Sequence, residues 1–255
     1  YGVAEPIYHF NDNPFVDNTD TIAAAKSAMG ITFYHYGIQA WSIYATVGLA
    51  LAFFTFNLKL PLTIRSIFYP LLGDKIYGRW GDLIDVISVI ATVVGLATSL
   101  GLGAQQVNAG VEYLFGIEYS REAQMIIIVI ITALATLSLL AGLDKGIRRL
   151  SEVNMGLAMV LLVFVLAIGP TAFLMDSFVQ NLGYYIDNFF KIGLWTESFV
   201  GVKDDSNWQN VWTVFYYAWW IAWSPFVGIF IARVSKGRTI TEFILGVVLV
   251  PSLLT

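Results

Sequence analysis

Apolar residues are gathered into six long stretches, at about 37–57, 84–106, 124–142, 153–175, 211–232 and 240–255, separated by polar, charged or glycine-containing segments. Each stretch is close to the ~20 residues that cross a bilayer as a helix. None alternates with the two-residue period of a half-buried strand. The pattern therefore predicts an all-α membrane protein with about six complete transmembrane helices, and residues 1–4 read as the tail of another. One segment behaves differently. In 177–192, Phe178, Leu182, Tyr185, Ile186, Phe189 and Phe190 share one helical face, opposite Gln180, Asn181 and Asp187. That amphipathic division predicts a helix lying along the membrane interface. The segment 58–83, with Ile67-Phe68-Tyr69-Pro70-Leu71-Leu72, reads as a loop hugging the opposite membrane surface.

Composition agrees. The chain is 57% hydrophobic and 13% charged, with a mean hydropathy of +0.70; a soluble domain carries about 25% charged residues. If the spans alternate, loops 58–83, 143–152 and 233–239 share one side. They hold Lys59, Arg65, Lys75, Arg79, Lys145, Arg148, Arg149, Arg233, Lys236 and Arg238, ten of the fourteen basic residues. The positive-inside rule assigns that side to the cytoplasm. The opposite loops collect acidic residues, among them Asp17, Glu118, Asp187, Asp204 and Asp205. A multi-pass protein of the inner (plasma) membrane is the expected localisation. With a net charge of −4 and no basic patch outside the loops, nucleic acid is not an expected partner. The chain has no cysteine, so neither disulfides nor thiolate metal sites are available. It opens at Tyr1 without a charged leader and stops at Thr255 within an apolar run, and it reads as an internal piece of a longer protein.

The strongest candidate chemistry lies in Phe215-Tyr216-Tyr217-Ala218-Trp219-Trp220-Ile221-Ala222-Trp223-Ser224-Pro225-Phe226. At helical spacing Tyr216, Trp219, Trp220 and Trp223 overlap into an aromatic wall, and Ser224-Pro225 predicts a break in the helix at the same depth. Aromatic faces attract cations through the ring quadrupole, and quaternary ammonium groups are their dedicated ligands. An interfacial aromatic belt is the competing explanation. Small residues in 84–116 (Gly95, Gly101, Gly103, Ala104, Gly110) suit close helix approach. Thr92, Thr98, Ser99, Gln105, Gln106 and Asn108 put polar groups at bilayer depth, where they pack structurally or line a path. Asp85 and Glu112 sit near the ends of that stretch and read as structural. No enzyme constellation is visible: there is no nucleophile elbow and no phosphate loop. His9 and His35 have no partner at metal-ligand spacing, and a metal site stays unassigned.

The run Phe215–Phe226 and its continuation Val227-Gly228-Ile229-Phe230-Ile231-Ala232-Arg233-Val234-Ser235-Lys236-Gly237-Arg238 closely resemble the signature of the betaine/carnitine/choline transporters. So do Tyr1-Gly2-Val3-Ala4-Glu5-Pro6, Ala40-Trp41-Ser42-Ile43-Tyr44, Gly101-Leu102-Gly103-Ala104-Gln105 and the segment from Phe243 to Pro251. This resemblance implies an inverted-repeat (LeuT-like) secondary transporter core. Residues 1–176 would be most of the first repeat, 177–192 the interfacial helix, and 193–255 an outer loop and the start of the second repeat. It further implies import of a quaternary ammonium osmolyte, above all glycine betaine, with sodium as the coupling ion and no cofactor. The alternatives are choline, carnitine or dimethylsulfoniopropionate with proton coupling or exchange, or a betaine sensor that moves nothing. A homotrimer is what the family suggests.

Carried over by position, the substrate-binding residues are Tyr36, Trp41, Tyr44, Trp219, Trp220 and Trp223, with Phe226 and Phe230 as gates. Three positions depart from the family pattern. Tyr36 stands where tryptophan is frequent, Thr241 where many members have arginine, and Leu96 where some sodium-coupled members have a hydroxyl, which weakens the case for a second sodium site. The physical logic supports the aromatic reading: trimethylammonium has no N–H to donate, and rings hold it at about 0.5–2 kcal/mol each. A carboxylate in its place would also bind sodium and potassium. Neither 37–57 nor 211–232 contains an acidic residue.

Overall fold

A computed structural model of the chain describes residues 2–140, 148–199 and 207–254, and among these every regular element is a helix or helical turn. The all-α expectation holds. Lys145, Lys203, Asp204 and Asp205, counted in the charge balance above, lie outside the described residues. Contacts divide the chain into two compact units, Tyr1–Gly95 with Val179–Thr255, and Leu96–Phe178.

The first unit opens with α1 (Ala4–Asn11), α2 (Thr21–Tyr36) and α3 (Ile38–Ala52). Asp20 starts α2 by accepting the backbone N–H groups of Ile22 at 3.2 Å and Ala23 at 3.0 Å, donors that the first helical turn would otherwise leave unpaired. A bend at Gly37 separates α2 from α3, and a π-helical turn Phe53–Asn57 extends α3. The apolar helix thus runs over Thr21–Asn57 instead of beginning at 37. Lys26, Ser27 and His35 dilute the hydropathy of its first half and hide it from a window average. Segment 58–78 folds as short turns around α4 (Tyr69–Leu72). Arg65 ties it to the next helix: its Nε donates to Asp85 Oδ2 at 2.6 Å, its Nη2 to Asp82 Oδ1 at 2.9 Å, and its backbone N–H to Asp85 Oδ1 at 3.0 Å. Asp85 is structural, as expected.

That next helix is α5 (Arg79–Phe115). It ends at Gly116, whose φ of 69° lies in the left-handed region and whose N–H closes on the Glu112 carbonyl at 2.8 Å, a common helix stop. In the second unit, the end of α5 is followed by α6 (Arg121–Leu140), α7 (Arg148–Ile168) and the first turns of α8 (Thr171–Asp187). Asn108, fully buried, donates to the Glu118 carbonyl at 3.3 Å and accepts the Ser120 N–H at 3.1 Å. This polar residue at bilayer depth braces a turn. The stretch 153–175 proves to be two helices. Gly169-Pro170 divides it, because a proline lacks the donor and disfavours helical geometry in its predecessor.

Back in the first unit, the expected interfacial helix 177–192 corresponds to the later part of α8 and to α9 (Phe189–Gly193), with a step at Asn188. A π-helical turn Asn210–Val214 leads into α10 (Phe215–Val234), then α11 (Ile240–Ile244), a second π-helical turn Leu245–Leu249 and α12 (Val250–Leu254). Five of the helices are long and apolar enough to cross a membrane; Ile240–Leu254 belongs to a shorter class, so the sixth expected span is not a full-length helix among the described residues.

The expected helix break at Ser224-Pro225 does not occur either: α10 stays α-helical across it. Pro225 cannot donate to the Ile221 carbonyl four residues earlier. Ser224 Oγ donates to that same carbonyl at 2.8 Å, so the freed acceptor is satisfied. The core of this unit joins α3 to α10 and the 240–254 segment through Tyr44, Ala45, Ile231, Phe243 and Val248. Two glycines set the approach: a Cβ at Gly228 would lie 2.6 Å from Val47 Cγ1, and one at Gly48 would lie 3.0 Å from Ile231 Cγ2.

Candidate functional site

Where α3 and α10 face each other, three rings meet. Trp41 and Tyr44 lie on one turn of α3, and their centroids are 5.7 Å apart at 81°. Trp220 comes from α10, 5.7 Å from Trp41 and 4.9 Å from Tyr44. These edge-to-face and tilted contacts are the preferred geometries of aromatic pairs. Trp220 is further fixed by its indole N–H, which donates to the His35 carbonyl at 3.1 Å. The buried Trp41 indole N–H has no partner among the described residues. Neither helix carries an acidic side chain, so the three rings form an aromatic cage to which α3 and α10 bring no carboxylate.

The other residues singled out by sequence divide around this cage. Trp219 is directed to another side of α10, where it packs with Phe215 at 5.7 Å and stacks on Tyr216 at 6.4 Å and 18°. Trp223 makes an edge contact with Phe226 at 5.9 Å and presses against Gly95 of α5, where a Cβ would lie 2.9 Å from its Cδ1. Hence the small-residue face of α5 serves close packing at Gly95. The single wall expected from helical spacing is therefore resolved into separate groups, since neighbouring residues such as 219 and 220 are turned about 100° apart. Phe226 and Phe230 are both more than half exposed and do not touch the three-ring cage. Tyr36 stands at its margin, 6.4 Å from Trp220, and its hydroxyl donates to that of Tyr216 at 3.0 Å.

Two arrangements escaped the sequence. Tyr185 of α8 donates its hydroxyl to the Gln39 side chain and accepts the Ile38 backbone N–H at 3.2 Å, tying the expected interfacial helix to the start of α3. Behind the cage, Glu5, His9 and His35 are each fully buried. Here the expectation that the two histidines lack partners is corrected. Glu5 Oε1 lies 3.1 Å from His9 Nε2 and 2.6 Å from His35 Nδ1, and His35 Nε2 lies 3.1 Å from Thr213 Oγ1. The ligating atoms of the three side chains all fall within 4.8 Å of one another. Burial pushes the Glu5 carboxyl up, but the hydrogen bonds from His35 and His9 outweigh it and hold the group below the usual carboxylate range. The four-residue step from Glu5 to His9 was visible in the sequence as one helical face. His35 was not, because thirty residues separate it from Glu5 and only the packing of α2 on α1 brings them together.

Over residues 1–255 the chain matches the family described as BCCT, betaine/carnitine/choline family transporter. It is 49% identical, over 100% of its own length and 49% of the relative's, to the glycine betaine transporter OpuD of Bacillus subtilis. It is 47% identical to the glycine betaine/proline/choline transporter VP1723 of Vibrio parahaemolyticus, over 99% of the chain and 48% of the relative. To the high-affinity choline transport protein of Escherichia coli K12 it is 45% identical, over 98% and 36%. The chain thus spans about half, or less, of the length of these curated relatives.

Proposed function

Because the chain belongs to the betaine/carnitine/choline transporter family and is a multi-pass plasma-membrane protein, we propose that it is part of a secondary active transporter that imports a quaternary ammonium osmolyte, glycine betaine first among them, by sodium symport. The observation that carries this reading is the cage of Trp41, Tyr44 and Trp220 on two helices without a carboxylate. Methyl groups around a positive nitrogen present a weakly hydrated surface to the rings, at about 0.5–2 kcal/mol per ring. A hydrated sodium or potassium ion gains far less from such a cage than from an oxygen cluster, so the site favours the methylated cation over the abundant inorganic ones. The unpartnered Trp41 N–H supplies a donor that suits a carboxylate on the same substrate.

Choline is the second reading, favoured by the names of the Vibrio and Escherichia relatives, both of which include choline. Sodium as the driving ion, the homotrimeric assembly and the gating roles of Phe226 and Phe230 rest on the family resemblance. The full-length protein in proteoliposomes tests the whole reading. An inward sodium gradient is expected to drive accumulation of labelled betaine, and equal accumulation under a proton gradient alone would replace sodium by protons. Binding in detergent without accumulation in vesicles would make the protein a sensor.

A further inference from the structure

A carboxylate stripped of water needs donors, and Glu5 finds two imidazoles aimed at one oxygen. The tautomers follow from these partners. His9 donates from Nε2 and His35 from Nδ1, which leaves His9 Nδ1 and His35 Nε2 as the basic positions. Their surroundings differ. His9 Nδ1 is buried without a hydrogen-bond partner among the described residues, its ring packed 4.6 Å from Trp212 and 5.2 Å from Trp208. His35 Nε2 faces the Thr213 hydroxyl at 3.1 Å. A hydroxyl donates to a bare nitrogen and, by turning, accepts from an N–H, so this contact survives the arrival of a proton. The cluster holds a net charge of −1 with both imidazoles neutral, and zero once His35 Nε2 is protonated. No lysine or arginine forms an ion pair with it among the described residues. The ring of Tyr34 from α2 lies 5.4 Å from that of His35, and the rings of Tyr216 and Tyr217 from α10 lie 4.8 and 6.4 Å away; Tyr216 also faces the Glu5 carboxyl and accepts the Tyr36 hydroxyl.

The same histidine touches the cage from behind. Its carbonyl holds the Trp220 indole at 3.1 Å, and its imidazole stacks on Tyr216 at 4.8 Å and 25°, the ring whose hydroxyl takes the Tyr36 proton donor. We propose that Glu5, His9 and His35 form a proton-binding site, with the proton accepted at His35 Nε2, and that its occupancy is linked to substrate binding through Trp220 and Tyr216. Nitrogens meeting one oxygen at 2.6 and 3.1 Å are at hydrogen-bond separations. A proton shared along such contacts is the ligand that these separations suit. The sign follows from charge. The unprotonated cluster is negative and favours a cationic headgroup in front of it, so a proton weakens substrate binding and, by reciprocity, substrate expels the proton.

The linkage rests on the cage being the substrate site; the proton site does not, and two measurements on the purified full-length protein separate them. Without substrate, the tryptophan emission is expected to fall as pH is lowered from 8 to 5.5, because the His35 imidazolium forms beside Trp208, 6.3 Å away in a stacked geometry. His35→Asn keeps a donor in the place of Nδ1 and cannot titrate, and it should abolish that change. Thr213→Val, which removes the acceptor for the bound proton, should move the midpoint to lower pH. With glycine betaine, calorimetry near the midpoint in two buffers of different ionisation enthalpy should show a fraction of a proton released, and affinity should weaken at least three-fold from pH 8 to 5.5. Both effects should vanish in His35→Asn and persist after chelator treatment. Emission and affinity that titrate unchanged in His35→Asn, an unshifted midpoint in Thr213→Val, or loss of the effects on chelation would each overturn the proposal. Failure of betaine to bind at any pH would instead sink the cage reading and leave the emission titration to decide the proton site.

Discussion

Trp220 is held from two sides, its ring by Trp41 and Tyr44 and its N–H by the His35 carbonyl. If the ring face binds a methylated cation, Trp220→Ala in the full-length transporter should raise the substrate KM about ten-fold or more, the effect of losing ~1–2 kcal/mol. Trp220→Phe keeps a face while Trp220→Leu keeps only bulk, so phenylalanine should be the milder change; equal losses would mean that the residue packs and nothing more. That the rings of Trp41, Tyr44 and Trp220 meet was legible because they belong to a recognisable aromatic motif. Tyr36 was harder to place: its hydroxyl goes to Tyr216, a pairing between helices that no spacing encodes. Ser224 shows the opposite failure. Ser-Pro was read as a break, and the serine is what repairs it. Ser224→Ala should therefore lower the thermal unfolding midpoint of the detergent-solubilised protein, from a loss of about 1 kcal/mol, with Ser224→Thr close to the parent; an alanine variant as stable as the parent would show that the Ile221 carbonyl needs no such partner.

At the scale of elements, apolar runs located the spanning helices, since each must bury or face lipid with a continuous apolar surface. Their ends were less legible. The Gly37 bend, the Gly169-Pro170 division and the π-helical turns at 53–57, 210–214 and 245–249 lie within or beside runs of uniform hydropathy, where backbone geometry and not burial decides. Helix contact was legible as small residues, but which of them make contact depends on the facing side chain. Gly228 meets Val47, a stiff β-branched residue. Gly228→Ala should consequently cost stability by forcing α10 away from α3, seen as a lower midpoint in size-exclusion thermostability. Val47→Ala in the same chain should recover much of that loss, because it removes the atom the new methyl would strike. If the double variant is no better than the sum of the two singles, the clash is not what makes glycine necessary there. Tyr185 belongs to this scale as well: its bonds to Gln39 and Ile38 let the expected interfacial helix hold the first turn of the helix that carries Trp41 and Tyr44.

For the molecule as a whole, orientation is set by charge and not by packing. Lysine and arginine resist transfer across the membrane, so the loops that carry them stay in the cytoplasm. Ten of fourteen basic residues fall on one set of loops, and the structure leaves this division intact where it describes them: Lys59, Arg65 and Lys75 lie between α3 and α5, and Lys236 and Arg238 follow α10. It also moves the start of one span, because the helix that ends at Asn57 begins at Thr21. That change moves no basic loop to the other side, since α3, α5, α6, α7 and α10 still alternate in order. Cysteines placed at Arg149 and Lys236 of an otherwise cysteine-free full-length transporter should then react with an impermeant maleimide only after the membrane is opened. Cysteines at Asp17 and Glu122 should react in intact cells. Each pair brackets a different number of spans, so a helix wrongly counted between 122 and 149 would expose position 149 from outside while leaving 236 protected or reversed. Labelling of 149 and 122 from the same face would remove α6 from the membrane and with it the two-sided arrangement that a transporter requires.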